Sequence, residues 1–528
     1  MALKALIFDL GGVLLEWDRH GATALAPTQF LAIMNSPAWY QLDRGELTVK
    51  QSCEYFGAML GMEAAIIENS LREAQKSLRV VRGFLDTIEA LKASNADLKF
   101  YIMSNISVEH FQLVRKEIDL PWSQFTQIFA SGNEGMRKPE LGFWRHVLNQ
   151  IGVRPEQAIM IDDTVENICA ARSLGIHGLL VDSKHPNKAR NILHNLLEDP
   201  EARAQAFMKS HATNHICVVE GLQDVTIKDN FSQLMIWELT GDSTLVDLRW
   251  PGGKLLKDKE CVSGERISEM NDMANGASPD DIKNDVELGL WNYFCNKPVL
   301  TTREFPPDAD TTSTAYISLP EEYLSRIAPP RLVLDMMAAN IDNDGIMQTY
   351  FCTDRPRKSP EVCCNILRAF NRFGLMLDAN LNIEATKAWV VDSLNNDACL
   401  DGSRHYSTPE AFLYLVARLY DECRDAHLKQ NLEPVKKKLK ERINTQVNPL
   451  ALAMRLFACQ KVSISSSLYQ KDLKTFMSLQ EVDGSWPAGH FCCYGRTGAL
   501  IGNRGLTTAL AICIMQHEKT VGSFGMVN

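Results

Sequence analysis

Four groups of polar residues follow apolar runs in the first 200 residues of this 528-residue chain. They are Asp9 in FDLGGV, Ser104 in IMSN, Lys138 in RKPE and the pair Asp162-Asp163 in MIDDTVENI. A carboxylate at a strand end can attack phosphorus and form an aspartyl-phosphate when the other charges of the site are neutralised. Asp9, the loop carbonyl of Gly11, and Asp162 or Asp163 are suitable ligands for Mg²⁺. Ser104 and Lys138 are suited to bind phosphoryl oxygens.

A second group of polar residues occurs in FPPDADTTSTAY, where Asp308 and Asp310 are followed by Thr311 and Thr312. Two carboxyl groups separated by one residue cannot both ionise cheaply in a dry pocket, so one should stay protonated. Such a group is a strong acid directed at a cavity. It is the device that protonation of an alkene requires.

The first group needs an element that brings strand ends together. Alternating strand and helix patterns predict an open, doubly wound α/β sheet with these polar residues at the carboxyl ends of its strands. Helix-rich sequence from about 15 to 90 interrupts this pattern and predicts a helical cap over the site. The predicted strands are residues 4–8, 98–105, 125–132, 158–163 and 177–182.

The second group lies in sequence of a different character. Long amphipathic segments at 360–377, 408–426, 448–460 and 505–517, separated by Gly, Asp, Asn and Pro, predict an all-α second domain. We therefore predict one domain over 1–205 and another over 215–528, with the boundary between about 205 and 220. The turns at 341–351, 397–406 and 480–486 indicate a degenerate helical repeat.

The first domain resembles the haloacid-dehalogenase superfamily through Asp9, Ser104, Lys138 and the IDDxxxNxxxA segment from Ile161 to Ala171. The resemblance implies a Mg²⁺-dependent phosphatase with Asp9 as nucleophile. One position departs from the pattern, because the family usually has a second Asp two residues after the nucleophile and this chain has Gly11. A diphosphate needs little leaving-group protonation, whereas removal of the last phosphate needs an acid such as Asp163 or a cap residue.

The second domain resembles class II terpene cyclases, which have an α/α barrel. Asp308 to Thr312 is similar to their DxDTT acid motif, and Gln480 to Trp486 is similar to their QxxDGSW repeat. The resemblance implies that Asp310 donates the proton, that Asp308, Thr311 and Thr312 orient it, and that Trp486 is structural.

Carbocations need aromatic faces and no water, and a diphosphate needs cations. The candidate substrate-binding residues therefore comprise aromatic side chains close to the acid motif or the turns, and arginines on turns. They are Trp291, Tyr293, Tyr350, Phe351 and Tyr406, with Arg355 and Arg357 in TDRPRK (353–358), Arg496 and Arg504.

The two halves together resemble dehalogenase-like terpene cyclases that make drimane sesquiterpenes. The resemblance implies cyclisation of farnesyl diphosphate to a bicyclic diphosphate, followed by dephosphorylation to drimenol or albicanol. Two alternatives stay open. One is a cyclase that releases the bicyclic diphosphate from an impaired or scaffold phosphatase domain, and the other is a phosphatase with a helical binding module.

Composition and charge argue against some classes of binding partner. With 55 Lys and Arg against 65 Asp and Glu, the formal charge is −10, and no basic block is long enough to track nucleic acid. No signal-peptide pattern and no apolar run of about 18 residues is present, which predicts a cytoplasmic enzyme of a small-molecule substrate without membrane insertion. The 14 scattered cysteines are expected to be reduced, and a homo-oligomer is compatible with the sequence.

Overall fold

The computed structural model describes residues 2–17, 24–251, 289–302, 304–494 and 497–522. The chain divides into two compact units, the first ending at Glu198 and the second beginning at Asp199. The helix Pro200–Ser210 lies in the second unit because it packs on the helix Arg504–Thr520 near the end of the chain. The second unit therefore begins a few residues before the predicted boundary, since a helix that packs on distant sequence carries no local sign of it.

The first unit is built on a five-stranded parallel sheet. All five strands predicted from the apolar runs are present, and their carboxyl ends meet at one edge. In spatial order the strands are Gln127–Ala130, Lys99–Ser104, Ala5–Phe8, Ala158–Asp162 and His177–Leu180.

Both faces of this sheet are covered by helices. Leu6 and Phe8 pack on one side with Phe84 and Ile88 of the helix Arg82–Ser94, while Ile7 packs on the other side with a second group of buried residues. Parallel strands buried on both faces read as continuous apolar runs, which is why the sequence revealed them. The helices outside the cap are Arg82–Ser94, Val108–Glu117, Ser131–Glu134, Leu141–Ile151, Val165–Ser173 and Pro186–Leu197.

The cap lies between the short antiparallel strands Leu15–Glu16 and Arg79–Val80. It has a small core of its own that includes Phe30, Ile33 and Phe56. The last helix of the predicted cap, Arg82–Ser94, packs on the sheet instead, because its apolar side chains face Leu6 and Phe8. The cap helices are Pro27–Met34, Pro37–Asp43, Val49–Leu60 and Ala64–Lys76.

In the second unit, six of the described helices form a closed ring in which each contacts the next and the last contacts the first. Most of their residues are buried, as expected for helices surrounded on all sides by protein. The helical architecture predicted for this domain is confirmed. The ring helices are Asn230–Thr240, Ala309–Ser318, Pro360–Arg372, Pro409–Glu422, Pro449–Lys461 and Arg504–Thr520.

Every ring helix is preceded by a short polar residue: Asp229, Asp308, Ser359, Thr408, Asn448 or Asn503. Side chains of this type accept hydrogen bonds from the free N–H groups of a first helical turn. Asp308 does so by accepting from the Thr311 N–H at 2.7 Å. In three ring helices proline follows at the first helical position, where it fits best.

Shorter elements surround the ring. A small antiparallel sheet that the sequence did not reveal joins strands of only two to six residues, in the order Cys492–Cys493, Leu500–Asn503, Cys217–Val219 and Leu222–Ile227. No described helix meets the length and hydropathy required to cross a membrane, and every described cysteine is a free thiol. The other helices are Pro200–Ser210, Glu321–Leu324, Pro330–Ala339, Glu384–Asn395, Ala426–Leu432, Val435–Arg442 and Ser466–Met477.

Candidate active sites

The carboxyl edge of the parallel sheet brings three charged side chains into direct contact. The Lys138 Nζ lies 2.9 Å from Asp9 Oδ1 and 2.6 Å from Asp162 Oδ2. All three residues are buried, and burial shields their interaction from water. The structure thus assembles Asp9, Lys138 and Asp162 from three separate parts of the chain.

Asp163 lies beside this group, and the loop after Asp9 makes room for it. Gly12 has a φ of +73°, and a Cβ atom there would lie 2.1 Å from Asp163 Oδ2. Only glycine readily adopts this positive φ and also leaves room for the Asp163 carboxylate. Carboxylate oxygens of Asp9, Asp162 and Asp163 lie within 4.8 Å of one another. This all-oxygen donor set fits Mg²⁺, and Gly11 belongs to the same loop.

Two asparagines that the sequence analysis did not assign hold this site in shape. The Asn167 amide donates to both oxygens of Asp162, at 3.0 and 3.1 Å. Asn105 grips the backbone of Lys138, accepting from its N–H at 2.7 Å and donating to its carbonyl at 2.9 Å. Both asparagines lie in the quoted motifs IMSN and IDDxxxN. Their position next to predicted site residues was the feature of the sequence that could have indicated their role. Ser104 is buried at the adjoining strand end.

Burial raises the pKa of Asp9 to about 7, and the charges of Asp162 and Asp163 add to this effect while Lys138 opposes it. Burial also raises the pKa of Asp163. Three carboxyl groups around one lysine leave negative charge in excess. A divalent cation would relieve this repulsion.

The cap contributes a further carboxyl group close to the lysine loop. Asp43, the last residue of the helix Pro37–Asp43, is buried and lies 3.3 Å from the Arg137 guanidinium. Burial raises the pKa of Asp43 to about 6, against the effects of Arg137 and Lys138. Arg137 also lies over the ring of Tyr40, 4.1 Å from its centre. The cap therefore docks on the segment that carries Lys138.

The second site is formed where the helix Ala309–Ser318 begins. Asp308 caps this helix by accepting a hydrogen bond from the backbone N–H of Thr311. It also accepts one from the Thr311 hydroxyl at 3.0 Å. The Thr312 hydroxyl accepts a hydrogen bond from the backbone N–H of Trp291 at 3.0 Å. Both threonines were expected to orient Asp310, but their hydroxyl groups position Asp308 and the segment before the helix.

Asp310 instead has partners from two other parts of the ring. The Asn365 amide donates to Asp310 Oδ1 at 2.8 Å, and the Tyr406 hydroxyl donates to Asp310 Oδ2. Arg368 donates to Asn365 Oδ1 at 3.2 Å and thereby fixes the amide with its NH₂ group towards Asp310. Tyr406 had been proposed only as an aromatic face. Asn365 lies within an apolar helical pattern and gave no signal of its own.

Burial dominates the ionisation of both acids. It raises the pKa of Asp308 to about 8, assisted by the charge of Asp310. It raises the pKa of Asp310 to about 6, although Asn365 and Tyr406 lower it. Both donors stabilise the carboxylate that Asp310 becomes after losing a proton, so they make it a stronger acid than burial alone would allow.

Comparisons with known proteins agree with the two types of domain. Residues 3–175 match the model of haloacid dehalogenase-like hydrolases, and residues 201–373 match the sesquiterpene cyclase astC-like C-terminal domain. Drimenol cyclase drtB of Aspergillus calidoustus is 34% identical over 514 residues, covering 97% of this chain and 87% of that protein. The chain belongs to the drimenol cyclase family.

Other relatives match the first unit of this drimenol cyclase family member. Sesquiterpene phosphatase astK of Aspergillus oryzae is 36% identical over 181 residues, which are 34% of this chain and 91% of astK. A solved haloacid-dehalogenase-family enzyme of Bacteroides thetaiotaomicron, in complex with magnesium and inorganic phosphate, covers 34% of this chain and 95% of its own at 22% identity, with a TM-score of 0.29. The two family matches, with drtB and astK, show that the chain is an enzyme with a hydrolase domain and a cyclase domain.

The aromatic candidates of the cyclase domain have different surroundings. Tyr350 is buried and its backbone pairs with Asp308, which puts its ring close to the acid motif. Trp291 packs against Trp250, with ring centres 5.1 Å apart. Tyr293 and Phe351 are partly buried against the ring core.

The candidate cations also differ. Arg355 lies over the ring of Tyr350 at 5.5 Å and Arg357 at 5.9 Å, which places both guanidinium groups near the acid motif. Arg504 already contacts the carboxylates of Glu481 and Asp483, so its charge is balanced and it joins the QxxDGSW turn to the last ring helix. Arg496 lies outside the described residues.

The turn that resembles the QW repeat has a structural role. The Trp486 indole is fully buried, donates to the Phe476 carbonyl at 2.8 Å, and stacks on the Phe476 ring. The backbone N–H of Trp486 donates to the hydroxyl of Thr508 on the last ring helix at 3.1 Å. This turn therefore joins an outer helix to the ring.

Proposed function

We propose that this enzyme cyclises farnesyl diphosphate to a bicyclic drimane-type diphosphate and then removes the phosphates to give drimenol or albicanol. The observation that carries the proposal is the half-buried carboxyl group of Asp310 on a helix of the closed ring, whose two oxygens each accept a hydrogen bond from a neutral donor. Similarity to a drimenol cyclase over 97% of the chain supports the choice of substrate class.

Asp310 donates its proton to the terminal alkene of the substrate. The resulting cation is attacked by the next double bond, and a second attack closes the second ring. Asn365 and Tyr406 stabilise the carboxylate that remains on Asp310. Tyr350 offers the carbocation an aromatic face close to the acid, and Trp291 and Tyr293 are further candidates for this role. Arg355 and Arg357 are the candidate cations for the diphosphate. Loss of one of two neighbouring protons decides between drimenol and albicanol.

In the phosphatase domain Asp9 attacks the terminal phosphorus, and a phosphate monoester leaves. Lys138 holds Asp9 and Asp162 together and balances part of their charge, while Ser104 binds a phosphoryl oxygen. Asp9, the Gly11 carbonyl and Asp162 or Asp163 would hold Mg²⁺, which would supply electrostatic stabilisation of the transferred phosphoryl group. Water then releases phosphate from Asp9.

Gly11 favours a second candidate function, in which the bicyclic diphosphate or monophosphate is the released product. The family pattern has an acid at this position, and without one an alkoxide would have to leave unprotonated when the last phosphate is removed. Asp43, the buried carboxyl group of the cap, and Asp163 are the residues near Lys138 that remain available for this step.

The test is incubation of farnesyl diphosphate and Mg²⁺ with three proteins, followed by product analysis. Wild type should give a bicyclic alcohol. Asp9→Asn should accumulate the bicyclic diphosphate. Asp310→Asn should form no bicyclic product, a loss of at least about 100-fold, while it still hydrolyses farnesyl diphosphate to farnesol. If wild type yields no cyclised product, the proposal is wrong, and if Asp9→Asn still forms the alcohol, the first domain is dispensable.

A further inference from the structure

A cluster of charged side chains crosses the interior of the helical ring. Arg368, on the third ring helix in chain order, lies 2.6 Å from Glu238 of the first and 2.8 Å from Glu422 of the fourth. Arg418, also of the fourth ring helix, contacts the same oxygen of Glu238. The first and fourth helices lie opposite each other in the ring, so these ion pairs span its interior. Two arginines and two glutamates balance in charge, which allows the cluster to be buried.

The guanidinium group of Arg368 is held on three sides. Its Nε donates to Glu422 at 3.0 Å, and its Nη2 donates to both glutamates. Its Nη1 donates to Asn365 Oδ1 at 3.2 Å. Both Arg368 and Asn365 are buried. The two carboxylates therefore fix the plane of the guanidinium group, and with it the donor that faces Asn365.

Asn365 lies between this cluster and the acid motif. It precedes Arg368 by three residues on the same helix, and residues at this spacing share one face. Its Oδ1 accepts from Arg368, while its Nδ2 donates to Asp310 Oδ1 at 2.8 Å. An unbroken line of hydrogen bonds thus leads from the two glutamates through Arg368 and Asn365 to Asp310.

An asparagine side chain can serve either protonation state of a carboxyl group, because its NH₂ group and its oxygen have nearly the same shape. Towards a carboxylate it presents the NH₂ group. Towards a protonated carboxyl group it can turn over and present its oxygen to the O–H. The second arrangement would hold the proton on Asp310 and make it a weaker acid.

Arg368 opposes that second arrangement. A guanidinium group has five N–H donors and no acceptor. Turning the Asn365 amide over would place its NH₂ group against these donors and would leave Nη1 of Arg368 without the oxygen that it now contacts. The amide therefore has one favourable orientation, whatever the protonation state of Asp310.

We propose that Arg368 is a positioning residue that keeps Asn365 a donor to Asp310 in both protonation states and thereby makes Asp310 a stronger acid. The inference rests on the proposed cyclase function, in which Asp310 gives its proton to an alkene. Arg368 itself exchanges no proton and contacts no substrate. Glu238 and Glu422 hold it in place.

The test compares two double variants that remove the same charges from the cluster. Glu238→Gln with Arg368→Met removes the contact with Asn365 and leaves Arg418 beside Glu422. Glu238→Gln with Arg418→Met is the matched control, because it leaves Arg368 on Glu422 and on Asn365. Circular dichroism and the melting temperature show that each variant is folded.

The measurement is the rate of the first cyclisation, with enzyme in excess over farnesyl diphosphate, as a function of pH. This rate falls as the pH rises, because Asp310 ionises. In the Arg368 variant the maximal rate should fall by about 10-fold or more, since a weaker acid protonates the alkene more slowly. The midpoint of the alkaline fall should rise by about one pH unit, since a weaker acid keeps its proton longer. The Arg418 variant should keep the wild-type midpoint.

Other titratable groups also face Asp310, and both double variants leave them unchanged. A difference in midpoint between the two variants therefore reports the loss of Arg368. These groups are Asp308, Tyr350, Glu361, Cys363, Tyr406 and Cys492.

Three results would overturn the proposal. A lower rate with an unchanged midpoint in the Arg368 variant would show a structural role. The same shift in both double variants would show that the charge of the cluster acts, and not the contact with Asn365. In an Asn365→Leu background the Arg368 variant should cause no further shift, so an additive shift would show that Arg368 acts by another route. If wild type itself cyclises nothing, the proposed cyclase function has failed instead.

A second measurement needs neither the substrate nor the charge variants. The infrared band of the Asn365 side-chain carbonyl, identified by its loss in Asn365→Leu, should keep one frequency while the carboxyl band of Asp310 titrates with pH. The band of Asp310 is identified by its loss in Asp310→Asn. A carbonyl band that shifts together with the titration of Asp310 would show that the amide turns over, and would contradict the proposal even if the substrate is wrongly assigned.

Discussion

Burial raises the pKa of Asp9 and of Asp310 alike, yet their neighbours suit the two carboxyl groups to opposite chemistry. Asp9 contacts the ammonium group of Lys138 and lies beside two more carboxyl groups. That charged setting suits a nucleophile, which must be ionised. Asp310 has only neutral donors as hydrogen-bond partners among the described residues. It can therefore hold a proton in a dry site and release it to a weak base.

Asp308 allows a prediction about stability against pH. Its pKa is raised from 3.8 to about 8 in the folded protein, chiefly by burial. The fold therefore favours the protonated form, and this contribution is fully present below about pH 4 and lost as the pH rises through about 8. Asp308→Asn keeps a good helix cap without the ionisable group.

We expect Asp308→Asn to remove this contribution to the pH dependence. The unfolding free energy of the variant minus that of wild type should be roughly 1–3 kcal/mol larger at pH 9 than at pH 5. Denaturant titrations at both pH values measure the difference. Asp342→Asn is the control, because Asp342 is paired with Lys358 at the surface. A constant difference between Asp308→Asn and wild type would mean that Asp308 is ionised throughout.

At the scale of elements, the ring depends on repeated helix starts and on the buried ion pairs that some of them carry. Glu410 at one helix start contacts Arg442 and Arg455, and Arg455 also contacts Asp472 at 3.1 Å. These contacts join two ring helices to the outer layer. Removing one member of a buried network leaves its partner charges without compensation.

Glu410→Gln should therefore lower the unfolding free energy by about 3–5 kcal/mol, because it leaves Arg455 with less negative charge. Glu361→Gln, at the equivalent position of the preceding ring helix, should change it by less than about 1 kcal/mol, since the carboxyl group of Glu361 accepts from Ser359 and forms no ion pair with any described residue. Thermal unfolding of the two variants beside wild type compares them directly. Equal losses would mean that Glu361 is also ionised and paired.

At the scale of the whole molecule, each unit has its own hydrophobic core and its own candidate site. The residues that form the phosphatase site all precede Glu198, and those around Asp310 all follow Asp199. The two activities should therefore be separable within the full-length chain.

We expect Asp9→Asn and Asp310→Asn to complement each other in a mixture. The first variant supplies the bicyclic diphosphate, and the second dephosphorylates it, so alcohol should appear although neither variant makes it alone. Gas chromatography of the products measures this. Adding EDTA should stop alcohol formation and leave the bicyclic diphosphate, because removal of Mg²⁺ disables the phosphatase site. Absence of alcohol in the mixture, with both variants active alone, would mean that the intermediate does not pass through solution.

Local sequence patterns were enough to predict the parallel sheet, several ring helices and most of the charged residues of the two sites. The five strands were visible because strands buried on both faces are continuous apolar runs. Four of the six ring helices were visible because their apolar periodicity spans several turns, whereas Asn230–Thr240 and Ala309–Ser318 were not predicted. Asp9, Lys138 and Asp162 stood out at the ends of the predicted strands, and the acid motif stood out as two carboxyl groups one residue apart. Local patterns of this kind do not depend on distant parts of the chain.

Only the tertiary structure decided what touches Asp310. Asn365 and Tyr406 follow it by 55 and 96 residues, and no local pattern marks an amide or a phenol as the partner of a distant carboxyl group. The same holds for Glu361 and Glu410, which have nearly identical sequence contexts and differ in whether an arginine from another helix reaches them. Ionisation depends on burial and on neighbours in space, and both are set by packing.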